Sequence, residues 1–251
     1  MRAFIAFTKK EFTENLRTYK LLIIGAVFLL FGMMNPVFAK FTPEILQAAG
    51  INMVLPTPTA LDSWAQFFKN IGQTGLLVLV IIFSGIMANE FSRGTLINIL
   101  TKGLKRSTVI LSKFTAATII WTFSYLLCYV VSYFYTAYFW SMSGMSHIFL
   151  SFFSMWLYGV LLIALVIFGG VLFKNIYGSL FLTGGTVLVL TLVNISPKLQ
   201  KYNPITLSSD NMSLLSAQKN VSDFLPALII CAAIIIVLII ISIAVFNKKQ
   251  I

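Results

Sequence analysis

The chain alternates long apolar runs with short polar, mostly basic stretches, and the runs have the length that a lipid bilayer selects. About 20 predominantly apolar residues carry a helix across the hydrocarbon core. Six segments meet that length: residues 20–39, 71–89, 114–139, 149–173, 176–196 and 225–246. None holds an Asp or Glu, and Lys and Arg stand only at their ends. The run Ile229–Ile243 is apolar on every face, whereas the strands of a membrane barrel alternate apolar and polar residues. The pattern predicts an all-α membrane protein of six transmembrane helices in a single domain, residues 1–251.

Composition narrows the class further. Of 251 residues, 59% are hydrophobic and 10% charged, with a mean hydropathy of +0.93. A water-soluble core cannot hide that much apolar surface, and disorder is excluded on the same numbers. Two cysteines, Cys128 and Cys231, are too few for a disulfide-stapled secreted fold and read as small buried hydrophobes. The net charge of +11 is distributed unevenly. If both termini are cytoplasmic, thirteen of the 18 Lys and Arg lie inside, among them Lys9, Lys10, Arg17, Arg93, Lys102, Lys105, Arg106 and Lys113. This bias predicts a multi-pass protein of the plasma membrane and accounts for the charge without a nucleic-acid partner.

Residues 1–19 project as an amphipathic helix. At about 100° per residue, Phe4, Ile5, Phe12, Leu16 and Tyr19 share one arc. Lys9, Lys10, Glu14, Arg17 and Lys20 lie opposite, and Glu11 intrudes near the apolar edge. Such a helix lies in the cytoplasmic interface with its cations at the headgroups. The inner loop, residues 90–113, carries five cations against Glu90. Leu96, Leu100 and Leu104 recur every fourth residue, which predicts a short helix with one apolar edge and a stop at Gly103. A basic helix of that shape is suited to docking a soluble protein.

The order Glu90, Gly94-Thr95, Leu100, Thr101-Lys102, Arg106-Ser107 and Lys113 resembles the inner loop of ABC transporter type-2 permeases. Gly103 stands where that family often has Pro, and Lys105 near a position usually held by a small polar residue. Lys9-Lys10-Glu11-Phe12 and Arg17 before the first span resemble the family's elbow helix, and the tight inner turn at Lys174-Asn175 agrees with its six-span plan. The resemblance implies a permease dimer, homo- or heteromeric, with two copies of a separate ATP-binding subunit docked under the elbow and the inner loop. It implies that Glu90, Arg93, Gly94, Thr95, Leu96, Leu100, Lys102, Lys105 and Arg106 couple to that subunit, which would hold the ATP and Mg. No G-x-x-x-x-G-K-[ST] phosphate loop occurs in this chain. The family likeness also implies that residues 197–224 form an extracellular re-entrant loop.

No span carries a base–nucleophile pair, a metal-ligand spacing or an ionisable group at mid-depth, so neither catalysis by this chain nor ion-coupled carriage is expected. The fifth span does carry a polar stripe: Ser179, Thr183, Thr186 and Asn194 fall on one face, with Gly178, Gly184 and Gly185 opposite. That stripe packs helices or lines a path, and in a dimer it can do both. Gln73 and Ser84 form a weaker version on the second span. A lightly polar path suits a hydrophobic or amphipathic substrate. By resemblance to Gram-positive members, of the phenol-soluble-modulin exporter kind, the favoured substrate is a toxic or antimicrobial amphipathic peptide moved outward. The competing expectation is a non-transporting membrane anchor that recruits a cytoplasmic partner.

Overall fold

Tyr19, in a left-handed conformation (φ 58°), is the joint between the amphipathic helix Arg2–Arg17 and the first long apolar helix. The computed structural model describes residues 2–50, 56–92, 94–101, 103–142 and 145–249, and all its regular structure is helical. Six helices are long and apolar enough to span a membrane: Lys20–Ala48, Ala60–Ser92, Arg106–Phe139, Ile148–Phe173, Ile176–Val193 and Val221–Lys248. They are called the first to sixth spans below.

The first two spans run further than hydropathy alone indicates. The first continues through Pro36 and Pro43 to Ala48. The second starts at Ala60, within the stretch expected to be an outer loop, because a capping box begins it. The Asp62 carboxylate accepts from the Thr59 amide and hydroxyl, each at 2.8 Å. Trp64, Phe67, Phe68 and Ile71 then recur at helical spacing and are buried. Trp64 and Phe67 meet rings of the third span, Tyr129 at 5.3 Å and Tyr125 at 5.9 Å. A π-helical turn, Ile71–Gly75, interrupts the second span. The third span likewise begins early, at Arg106, and absorbs the end of the inner loop.

The fourth span is the hub. Its most apolar stretch is 78% buried against 11% for the fifth, which packs mainly on the fourth and to a lesser extent on the second. Indole and ring contacts tie the third span to the fourth: the Trp121 Nε1–H donates to the Trp156 carbonyl at 3.0 Å, and Tyr125 stacks on Phe152 at 4.5 Å. At the end away from the termini, Lys40 lies 4.1 Å above the Phe139 ring and pins the first span to the third.

Between the fifth and sixth spans lie three short helices, Pro197–Gln200, Thr206–Ser209 and Asn211–Leu215, whose Leu207, Leu214 and Leu215 are buried. Asn203 Nδ2 donates to the Leu190 carbonyl at 2.7 Å, and a Cβ on Gly72 would lie 3.4 Å from Ser208 Oγ. Gly72 is twelve residues inside the second span, so this cap dips about 18 Å along it. Asn220, with Asp223 at its third position, caps the sixth span, one turn ahead of the helix start expected near residue 225.

Both termini lie at the same end of the bundle, where two cations clasp helix ends. The Arg106 guanidinium donates to the carbonyls of Phe246, of Asn247 at 3.3 Å and of Lys249 at 2.7 Å. Lys249 Nζ donates in turn to the carbonyls of Val171 and Leu172 at 2.6 and 2.5 Å. The last carbonyls of a helix have no intrahelical donor and carry partial negative charge, so a cation both satisfies and neutralises them. Arg106, expected to face a docking partner, instead chains the third span to the sixth and, through Lys249, to the fourth. Arg106→Gln should therefore lower stability by roughly 2 kcal/mol, a melting decrease of about 4–8 °C in detergent. An unchanged melting curve by tryptophan fluorescence would show that the clasp is dispensable.

Candidate functional site

The helix Arg2–Arg17 presents Ile5, Leu16 and Tyr19 outward, as the projection predicts for a lipid-facing edge, with Lys9 and Arg17 exposed and Phe12 half-buried. Its inward face is Phe7, Glu11 and Asn15, at four-residue spacing, packed on the third span. Glu11, the acid that spoiled the apolar edge in projection, is 3% exposed because it has a partner there.

That partner is Lys113, in the second turn of the third span and 2% exposed. Its Nζ lies 2.8 Å from a Glu11 oxygen and 2.8 Å from Glu90 Oε1 at the end of the second span. Two carboxylates from different elements thus share one buried ammonium. Lys10 closes the rim, 3.1 Å from Glu11, 2.6 Å from Glu14 and 3.7 Å from Glu90. Burial works against the Lys10 charge, but bonding to Glu14 and then to Glu11 and Glu90 outweighs it and holds the ammonium above the ordinary lysine range. What Lys10 contributes is therefore fully present below the ordinary lysine value and fades only as pH rises through the raised one. The carboxylates of Glu11, Glu14 and Glu90 approach within 4.8 Å of one another, a grouping that could hold a cation, and the two ammonium groups fill that role.

The same Glu90 receives the Thr95 hydroxyl through its second oxygen. Thr95 opens the short helix Thr95–Leu100, which lies between Gly94 (φ 64°) and Gly103 (φ 85°). Both glycines adopt the left-handed region that other residues enter only at a cost, and each has open space where a side chain would be. The apolar edge of this helix turns inward: Leu96 is fully buried, and Leu100 and Leu104 pack on the core. Leu96 and Leu100 are therefore anchors, leaving Thr95, Thr101 and Lys105 on the exposed side. Arg93 and Lys102 lie outside the described residues.

The polar stripe of the fifth span divides. Ser179 is buried and donates to the Val166 carbonyl at 2.7 Å, and its Cα would lie 2.8 Å from a Cβ on Gly169. Thr183 is also buried and bonds its own helix at the Ser179 carbonyl. Thr186 is half-buried and bonds Leu182, while Asn194 accepts from Asn203 at 3.3 Å. Of the stripe, Ser179 seats the fifth span on the fourth, while Thr183 and Thr186 bond their own helix. Gly184 and Gly185, opposite it, meet nothing within 4 Å.

A row of polar side chains runs along one side of the second span, with Asn70 bonded to Asn35 of the first span at 2.6 Å. Lys69, Gln73 and Thr74 are exposed, and Gln66 and Asn70 are half-buried on the same side. Gln73 sits in the π-helical turn, about 20 Å along the helix from Ala60. Polar side chains on a membrane-crossing helix face a cavity or an interior more readily than lipid. Beside them an apolar groove of about 440 Å³ runs between the second, fourth and fifth spans, with Gln73, Leu77, Tyr158, Thr183, Gly184 and Ser208 on its walls. Ser84, paired with Gln73 in the sequence, is buried and bonds the Ile81 carbonyl.

Sequence reasoning counted Lys113 among the inner cations and quoted it as the last position of a motif without giving it a role, and it passed over Gln66 and Asn70. The i, i+4, i+7 spacing of Gln66, Asn70 and Gln73 was the available signal.

Residues 5–251 match the family described as ABC-2 family transporter protein. Among curated proteins, a transmembrane protein of Bacillus subtilis (strain 168), named as the uncharacterized YxlG, is 21% identical over 140 residues. That match spans 54% of this chain and 54% of the relative, so the chain covers about half the length of the protein it resembles. A family match over nearly the whole length, six spans and a helical elbow agree. This chain is a multi-pass bacterial membrane protein that belongs to the ABC-2 family of transporter membrane proteins.

Proposed function

We propose that this chain is the membrane-spanning half of an ATP-driven exporter, working as a dimer with two copies of a separate ATP-binding subunit. The observation that carries this reading is the polar face of the second span beside the apolar groove. Gln73 and Thr74 lie exposed on a spanning helix, and a second permease facing them would cover them and complete a path. The mixed lining, apolar with a few amide and hydroxyl groups, fits a hydrophobic or amphipathic substrate better than an ion. An amphipathic peptide, toxic or antimicrobial, is the favoured cargo, moved outward from the cytoplasm.

In this scheme the termini-bearing end is cytoplasmic, and the elbow with Thr95, Thr101 and Lys105 forms the docking surface. ATP and Mg reside in the partner, and this chain performs no hydrolysis. Binding energy released by nucleotide-driven closure would move Glu90 and with it the second span. The π-helical turn at Ile71–Gly75 is a natural place for that span to bend, because its hydrogen-bond ladder is already irregular there.

Two measurements test the reading. Tagged wild-type chain purified from its native membrane should bring an ATP-binding subunit with it, and Lys105→Glu should weaken that association while insertion stays normal. Association that survives charge reversal would remove Lys105 from the docking surface, and a wild-type chain that captures no ATP-binding subunit would favour the anchor reading. Separately, inside-out vesicles should take up a fluorescent amphipathic helical peptide when ATP is added. Gln73→Leu should slow the initial rate about tenfold, the worth of one hydrogen bond of ~1.4 kcal/mol. Uptake at the wild-type rate would take Gln73 out of the path.

A further inference from the structure

We propose that Lys113 is the positioning residue that makes the elbow, the short helix Thr95–Leu100 and the second span move as one body. The inference rests on the permease reading above and adds the element through which force is passed. The elbow packs on the third and first spans, but toward the second span it faces a polar cleft of about 310 Å³ lined by Glu11, Glu14, Glu90, Lys10, Lys20 and Lys113, among others. Across that cleft the described ion pairs run through Lys113 and Lys10. Lys10 is 44% exposed and gains little from its contacts, whereas Lys113 is buried with both of its carboxylates.

Stability alone does not explain such an arrangement. Taking an ammonium and two carboxylates out of water costs about as much as their attraction returns, and apolar residues of similar volume often serve as well. Apolar packing has a different weakness at a membrane boundary. Lipid tails are as apolar as side chains, so helices held only by apolar faces resist sliding poorly. An ammonium 2.8 Å from two oxygens on two separate elements fixes one register. Glu90 extends that fixed point in two directions, through Thr95 to the docking helix and along the second span toward Gln73. A pull on the docking surface therefore reaches the path through Lys113.

The test needs no substrate. Gln73→Cys, with the native Cys128 and Cys231 buried, gives an accessible thiol in the path, and its reaction rate with a small methanethiosulfonate reagent reports the state of the second span. In the complex purified with its ATP-binding subunit, Mg-ATP with vanadate should change that rate. Lys113→Met alone would leave two buried carboxylates facing each other, so the informative variant is the neutral triple Glu11→Gln, Glu90→Gln, Lys113→Met. Compared per bound ATP-binding subunit, it should lose the nucleotide-dependent change in rate. Glu11→Gln alone, which leaves Lys113 paired with Glu90, should lose most of the same response, and Lys113→Arg should keep it. A triple variant that responds like wild type would overturn the role of Lys113 and leave the cluster a purely structural one. A wild-type complex with no ATP-binding subunit would instead overturn the permease reading, and this inference with it.

Discussion

A lysine that is 2% exposed at the edge of a bilayer must find negative charge, and here the requirement fixes the architecture of one whole end of the molecule. Lys113 is satisfied only if the elbow delivers Glu11 and the second span delivers Glu90 to the same point. That condition sets the angle at which the elbow crosses the third span and the register of the second span against it. It also fixes where the chain must leave the second span, so that Thr95 can reach the free oxygen of Glu90. The Arg106–Lys249 clasp extends the same logic to the third, sixth and fourth spans, using helix-end carbonyls as the acceptors. Polar bonds therefore organise this end, while apolar surface organises the middle.

The opposite half is built on different terms. Aromatic rings of the second, third and fourth spans interlock around Trp64, Trp121 and Tyr125, and the capped outer segment seals the fourth and sixth spans. The second span belongs to both halves. Its aromatic stripe is locked at the end away from the termini, its last turn is locked by Lys113, and between the two lies a π-helical turn with an uncovered glutamine. An element held at both ends and irregular in the middle is suited to bending, and the groove beside it is where a bend would change the available volume.

The sequence made the spans legible wherever apolar residues ran uninterrupted, as in the fourth, fifth and sixth. It was less informative at residues 60–70, where Asp62, Ser63, Gln66, Lys69 and Asn70 lower the mean hydropathy although Trp64, Phe67 and Phe68 mark a helix face. The elbow and the motif Glu90–Lys113 were recognisable, yet their inner logic was not, because Glu11 and Lys113 are 102 residues apart. The family resemblance assigned Arg106 to a partner, whereas the acceptors it meets are carbonyls of its own C-terminal segment. The polar stripe of the fifth span was visible by periodicity, but periodicity does not reveal which neighbour covers a face. Ser179 found the Val166 carbonyl, and the face left open belonged to another helix.

The most direct measurement of the central claim is amine-directed cross-linking of the complex in its native membrane, read by mass spectrometry. Lys9 on the elbow and Lys105 beside the short inner helix are both exposed at the termini-bearing end. If the two elements form one docking body, both lysines will cross-link to the same ATP-binding subunit. Cross-links to that subunit from one of the two alone, or from Lys40, Lys69 and Lys198 at the far end, would contradict the account.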